Sequence, residues 1–385
     1  MKRAPANKVL FLLALAAIAT CLFAGFLTEA PNRLVTGKPL ALWQALGTPV
    51  LLAAILATGA LLVLSWLRQS ATVLCASLFA AGALLFLLFF AAGEAAGFLM
   101  KGARPAQRIG LGAGFWAAAF CLVMAMIDAA QRLKLGPAGR LLVATSLLLP
   151  LAAMARWGIF DQLSLLREYA AQRDAFAAQA VRHCALVAAA VAAALACGVP
   201  LGLLVARRPH IAGAVFGTLN LLQTIPSIAL FGLLIAPFSA LAAAVPGLGI
   251  AGIGAAPAIV ALMLYALLPV ARNTQAGIAA ADPAIIEAAR AMGFTPRQIL
   301  WRVELPLGAP VFIAGLRIVL VQAIGLAAVA ALVGAGGFGS FIFQGIGQYA
   351  TDLVLLGAIP TILLALAADF VLGIAAQLLL RKESA

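Results

Sequence analysis

Arg317 and Asp369 each stand inside a long apolar run, and an ionisable group at membrane depth is costly enough to mark a function or a partner. Arg317 lies about eight residues from one end of its run and Asp369 about eleven from the matching end of another, so their depths differ by only about 4 Å at 1.5 Å per helical residue. They can pair, as glue between helices, as a hinge restraint or as part of a transport site. Glu94, in FFAAGEAAGF, is flanked by Gly93 and Gly97 in a small-xxx-small pattern that predicts close helix packing with the carboxyl facing protein. Asp128, near the end of its run, is expected to be wet. Asn220, Gln223, Thr224 and Ser227 recur every three or four residues, predicting a polar stripe on one helical face, with breaks at Pro226 and Pro237. With Tyr265, that stripe is expected either to line a translocation path or to hydrogen-bond between helices.

Other chemistries find no support in the residues. Cys21, Cys75, Cys121, Cys184 and Cys197 all lie in or beside apolar runs without a CxxC pair, which reads as buried, inert thiols. His183 and His210 fall at opposite ends of one expected span, about a membrane apart, so no metal site is expected. No catalytic residue is expected either, because no nucleophile and base come together. GLGIAG (247–252) and GAGGFG (334–339) fit GxGxxG but follow no strand, and their glycines are expected to serve turns at the ends of spans. No GxxxxGK[ST] occurs, so no ATP or other cofactor is expected on this chain.

The elements that must position these residues are set by composition. Of 385 residues, 65% are hydrophobic and 10% charged, with a mean hydropathy of +1.14, which places the chain in a bilayer. Crossing it takes roughly 20 apolar residues. Such runs fall at about 9–27, 46–67, 71–98, 109–130, 141–157, 184–206, 216–239, 256–272, 309–333 and 353–380, predicting an all-α integral membrane protein of about ten spans joined by short loops. The net charge of +13 reflects lysine and arginine at the ends of these runs, so topology explains it and no nucleic-acid partner is expected. With both termini in the cytoplasm, fifteen of the 25 basic residues fall inside, among them Lys2, Arg3, Arg207, Arg290, Arg297, Arg302, Arg381 and Lys382. The positive-inside bias therefore favours that orientation.

Met1-Lys-Arg and the apolar run behind it imitate a signal peptide, but the run nears spanning length and lacks a cleavage site, so it reads as the first span. The segment 158–183 mixes Asp161, Arg167, Glu168, Arg173, Asp174 and Arg182 with apolar residues at helical spacing. It reads as an interfacial linker between an N-terminal membrane domain (1–157) and a second one (184–385).

Within the second domain, the cytoplasmic loop 282–306 carries two sets of helix signals. Asp282 caps a helix with Pro283 at its first position, and Gly293 ends it in the left-handed conformation. Thr295 caps a second helix, with Pro296 first, Gln298 completing a capping box and Phe294 stapling against Ile299. Leu305-Pro306 is expected to stop it. Two capped helices with apolar and basic faces predict a docking surface.

The spacing Glu287-Ala288-Ala289, three residues, Gly293, nine residues, Val303-x-Leu305-Pro306 resembles the EAA loop of ABC importer permeases, with Val303 where isoleucine is usual. LLQTIPSIALFGLL (221–234), LYALLPVARNTQAGI (264–278), DPAIIEAARAMG (282–293), VELPLGAPVFIAGLR (303–317) and LVGAGGFGSFIFQGI (332–346) extend the likeness over about 184–380, to the permeases of osmoprotectant importers. The resemblance implies a type I importer core in the C-terminal five spans and a bacterial inner-membrane location. It implies that Glu287, Ala288, Ala289, Gly293 and Pro306 couple to a cytoplasmic ABC ATPase that holds ATP and magnesium. A second permease subunit and a periplasmic substrate-binding protein are the other implied partners, with membrane lipid around the spans. The implied substrate is a quaternary amine such as glycine betaine, choline or carnitine; another small polar solute such as an amino acid is the alternative. Aromatic faces would hold such a cation, and Tyr265, Phe338, Phe341, Phe343 and Tyr349 lie near the core spans or their outer ends. A rival from another class is an ion-coupled secondary transporter using Glu94, Asp369 and Arg317, which leaves the loop unexplained.

Overall fold

The computed structural model describes residues 5–33, 35 and 37–383 and divides the chain into two compact units: Met1–Ala171 with Gln348–Asp352, and Gln172–Gly347 with Leu353–Ala385. Lys2 and Arg3 lie outside the described residues, as do the side chains of Arg381 and Lys382.

The first unit contains helices α1 (Lys8–Phe23), α2 (Leu42–Ala45), α3 (Thr48–Trp66), α4 (Ala71–Leu99), α5 (Ala113–Arg132), α6 (Pro137–Arg156) and α7 (Ser164–Ala171). Strands β1 (Leu27–Ala30), β2 (Lys38–Leu40) and β3 (Arg108–Leu111) form an antiparallel sheet in the order β2-β1-β3, with Leu27 opposite both Leu40 and Leu111. This small sheet is an addition to the helical architecture expected from the sequence. Phe26 and Phe115 anchor the core beneath it, and Phe89 meets Phe115 edge to face at 5.0 Å between ring centres.

Two expectations for acidic residues in this unit are corrected. Gly93 makes a close contact, since an added Cβ would lie 2.6 Å from Ile159, but Gly97 meets nothing and Glu94 is exposed instead of facing protein. A helix of 29 residues spans about 43 Å, more than the roughly 30 Å of hydrocarbon, so Glu94 in the last turns of α4 need not sit in lipid. Asp128 does more than meet water: it accepts hydrogen bonds from Asn7 Nδ2 and Arg132 Nε, both at 2.8 Å. Asn7 in turn caps α1 through Leu10 N–H at 3.1 Å.

The second unit contains α8 (Arg173–Arg207), α9 (Ala212–Thr224), α10 (Ser227–Ala244), α11 (Ala255–Ala279), α12 (Pro283–Ala291), α13 (Pro296–Ile299), α14 (Leu305–Val329), α15 (Gly339–Gly347) and α16 (Thr351–Glu383). Its centre is α8, α11 and α14, pressed together where small residues let backbones approach. A Cβ on Gly308 of α14 would lie 2.3 Å from the Gly277 carbonyl of α11, and one on Gly202 of α8 would lie 2.5 Å from the Ala271 carbonyl. In lipid, where burial of apolar surface drives no association, such contact is what holds helices together.

Among the described residues nine helices are long and apolar enough to cross a membrane, and α1, at 16 residues, is a shorter apolar helix. The run expected at 216–239 is not one helix. It breaks at Ile225-Pro226, where proline pushes the residue before it into extended backbone (Ile225 ψ 126°), while Pro237 is absorbed within α10. The segment expected as a linker separates into α7 and the first turns of α8. His183 therefore lies inside a 35-residue helix, fully buried beside Phe338, and not at the end of a span.

Candidate functional site

The loop 282–306 folds as its local signals require up to one point. Asp282 Oδ1 accepts from Ala284 N–H at 2.9 Å, and Pro283 opens α12. Gly293 takes φ +84°, Phe294 N–H reaches back to the Ala289 carbonyl at 3.1 Å, and the helix closes in a left-handed C-terminal turn. Thr295 and Gln298 form the expected capping box, at 2.8 and 3.3 Å. Arg302 lies over the Phe294 ring at 6.0 Å.

The expected stop at Leu305-Pro306 does not occur. Residues Leu300–Glu304 form a π-helical turn in which Leu305 N–H bonds the Leu300 carbonyl, and helix continues on either side from Pro296 to Val329. In an α-helix the Pro306 ring would strike the carbonyl four residues back, at Arg302; widening the turn by one residue relieves that clash. The second loop helix and the span α14 are thus one rod. Of the coupling candidates, Glu287, Ala288, Gly293 and Pro306 are exposed, while Ala289 is buried as the contact of α12 with its own unit. Ile285, Met292 and Trp301 add exposed apolar surface, Trp301 at 70%.

An ion pair that sequence reasoning missed fixes the foot of this rod. Arg207, the last residue of α8, donates to both carboxylate oxygens of Glu304, from Nη1 at 2.8 Å and from Nη2 in a shorter bond. Glu304 is 2% exposed and Arg207 48%. The two are 97 positions apart, and neither residue type signalled the other. A cavity of about 280 Å³, lined by Val199, Thr274, Gly277, Glu304, Gly308 and Phe312, adjoins the pair.

The polar stripe does not run along a single helix, as the break at Pro226 places Asn220, Gln223 and Thr224 on α9 and Ser227 at the start of α10. Asn220 and Thr224 are exposed, and Thr224 bonds its own helix through the Leu221 carbonyl at 2.7 Å. Gln223 and Tyr265 are brought together by a reciprocal brace. Pro269, four residues after Tyr265, has no N–H to give the Tyr265 carbonyl, and Gln223 Nε2 supplies one at 2.9 Å. The Tyr265 hydroxyl donates in return to the Ile225 carbonyl at the α9–α10 break. The missing donor at Pro269 was the one signal in the sequence that could have located this brace.

Arg317 and Asp369 are paired, through Arg317 Nε to Asp369 Oδ1 and Nη2 to Oδ2, the latter at 2.7 Å, tying α14 to α16. Both side chains are about two-fifths exposed. Among the aromatic candidates, Phe338 and Phe341 are buried against Phe176, with ring centres 5.5 and 6.1 Å away, and Tyr349 is 83% exposed. The GAGGFG glycines serve turns: Gly334, Gly336 and Gly337 have φ of +76°, +82° and +85°. Among the described residues no group of three or more His, Cys, Asp or Glu is placed to hold a metal.

Comparison with known proteins adds to this geometry. Residues 198–382 match the family described as binding-protein-dependent transport system inner membrane component, and residues 6–166 match the N-terminal domain of the ABC transporter permease YehY. The carnitine transport permease protein OpuCB of Listeria monocytogenes is 42% identical over 195 residues, 51% of this chain and 84% of that protein. The glycine betaine/carnitine/choline transport system permease protein OpuCD of Bacillus subtilis (strain 168) is 40% identical over 215 residues, covering 55% and 88%. The osmoprotectant import permease protein OsmW of Salmonella typhimurium is 42% identical over 191 residues, covering 50% and 85%. Among solved structures, an inward-facing MetNI methionine ABC transporter aligns over 53% of this chain and 96% of its own, with 27% identity and a TM-score of 0.46.

Proposed function

The chain belongs to the multi-pass inner-membrane permeases of ABC importers, in the osmoprotectant group, and from that premise we propose that it carries a quaternary amine such as glycine betaine, choline or carnitine into the cytoplasm. A cytoplasmic ATPase subunit binds and hydrolyses ATP with magnesium. A periplasmic binding protein selects and delivers the solute, and a second permease subunit completes the path. Both termini and the loop 282–306 face the cytoplasm.

The observation that carries this reading is the unbroken helix from the capped loop into α14. A lever transmits motion only if it is stiff. The outer surface of the loop is formed by Ile285, Glu287, Ala288 and Met292 of α12 and its cap and by Trp301 at the foot of the rod, which gives the ATPase a mixed apolar and charged face to grip. When the ATPase closes on ATP, movement of that face is passed along α13 into α14, and through the Gly277–Gly308 contact and the Arg207–Glu304 pair into α11 and α8. The Gln223–Tyr265 brace, built on two interrupted helices, lies where the path would need backbone able to rearrange. Asn220 and Thr224 are exposed polar residues on the same helix as Gln223, and Ser227 is half-buried at the start of α10. The pairing of Arg317 with Asp369 supports a structural role for those residues over an ion-coupling one, since each is the other's counter-ion.

The test is uptake of radiolabelled glycine betaine and choline into proteoliposomes holding the permease, its ATPase and its binding protein. Uptake that requires all three and internal ATP, and persists when proton and sodium gradients are collapsed, supports the reading; uptake driven by a gradient without the ATPase refutes it.

A further inference from the structure

The N-terminal unit contains an apolar cavity of about 440 Å³ bordered by Cys21 of α1, Trp43 of α2, Thr58 and Gly59 of α3, Leu88 of α4 and Leu122 of α5. We propose that it holds one acyl chain of a membrane phospholipid, which makes this unit a lipid-binding module. Its volume falls within the roughly 300–1,000 Å³ of ligand sites and is nearly three times the roughly 150 Å³ of apolar cavities known to stay dry and accept hydrocarbon guests.

Three observations identify the occupant. The lining offers little to a polar ligand: its one hydroxyl, on Thr58, is committed to the Ala54 carbonyl of its own helix at 2.6 Å, and the Cys21 thiol and the Trp43 indole N–H are its only other polar groups. A buried water needs two to four polar partners, which the lining lacks, and a quaternary ammonium needs acceptors or a cage of aromatic faces, whereas only Trp43 and the fully buried Phe26 border the space. The second observation is extent. Lining residues on α3 run from Val50 to Leu62, about 18 Å of that helix at 1.5 Å per residue. A volume of about 440 Å³ has room for a hydrocarbon chain and is too small for a helix of that length, which is about 10–12 Å across with its side chains.

The third observation is position. The cavity lies among spans, where lipid chains are the abundant aliphatic molecules. Trp43 borders it on the sheet-bearing side of the unit and is 53% exposed, as an indole at headgroup level is expected to be. Lys38, on the strand just before α2, is exposed and offers a cation to a phosphate. The proposal rests on the placement of the spans and not on the transported solute.

Gly59 allows a direct test, because a Cβ there meets nothing within 4 Å and a leucine can grow into the cavity without moving backbone. The full chain, with Trp43 as its sole tryptophan (Trp66, Trp116, Trp157 and Trp301→Phe), is reconstituted in phosphatidylglycerol vesicles in which a variable fraction of chains is dibrominated. In parallel the full chain is examined in mild detergent by native mass spectrometry. The expected results are one retained phospholipid per chain and Trp43 quenching that saturates at low brominated fraction. Gly59→Leu should lower retained lipid by about tenfold or more, because its side chain takes up the same space, and should make quenching proportional to the brominated fraction. Ala54→Phe, from the same wall, should act alike and serves if Gly59→Leu does not fold. Equal lipid retention in a folded, cavity-filled variant overturns the proposal, as does a parent chain that retains no lipid and is quenched only in proportion.

Discussion

Replacing Arg207 by alanine removes the partner of a carboxylate that is 2% exposed, while the arginine itself is half in solvent. Breaking a fully buried pair costs about 3–5 kcal/mol, because the remaining charge is left desolvated. With one partner 48% exposed, solvent screening lowers this to about 1–3 kcal/mol, or roughly five- to 150-fold in the balance between a docked and a released α13–α14 rod. If that contact passes force from the loop into α8, uptake falls by about this factor while ATP hydrolysis by the assembled complex falls much less, since the loop surface is untouched. The assay is the ratio of solute imported to ATP hydrolysed, measured on the same proteoliposomes. Arg207→Lys keeps a charge but loses the two-pronged geometry and should be intermediate. Arg207→Met with Glu304→Met removes both charges and should relieve the cost of the unpaired carboxylate without restoring the transport ratio. An Arg207→Ala complex with the parent's uptake and the parent's ratio would show that the pair is an ornament of the fold and not a part of the transmission.

Three further outcomes are expected. Gly293→Val forces a β-branched residue into φ +84°, costing about 1–2 kcal/mol or more where only the loop's elbow is strained; the chain should insert normally by protease mapping yet lose most uptake. Gln223→Leu leaves the Tyr265 carbonyl without a donor, at about 1–3 kcal/mol, and Tyr265→Phe frees the Ile225 carbonyl; both should lower the melting temperature of the purified complex, and unchanged melting refutes the brace. Arg317→Ala and Asp369→Ala should reduce assembly or transport to equal extents, with normal uptake by Arg317→Ala removing the pair from the account.

What could be read from the sequence was local or governed by depth. The caps at Asp282, Thr295 and Gln298 and the turn at Gly293 depend on residues within four positions of one another, and each formed as expected. Arg317 and Asp369 were matched by depth alone, because a bilayer fixes height along every span. Other contacts across the bundle were not legible. Arg207 read as a topology signal and Glu304 as a motif letter, and only folding shows that their helices end side by side. Pro306 was misread because the rule for proline assumes a regular α-turn, whereas a π-turn accommodates the ring. Gly93 and Gly97 marked close packing without showing which face of α4 makes it, so Glu94 was placed on the wrong side. The strands of the small sheet, at three or four residues each, are too short to leave a period in the sequence.

The central claim is that the rod from Pro296 into α14 bears on an ATPase, and a single bond can test it. A cysteine at Ala288, which is exposed on α12, is introduced into a chain lacking Cys21, Cys75, Cys121, Cys184 and Cys197, and the assembled complex is treated with a short thiol cross-linker. The account expects a permease–ATPase adduct that forms in intact complexes and arrests uptake. A complex in which Ala288→Cys is modified only by reagent added from the outer face of the membrane, and never joins the ATPase, contradicts it.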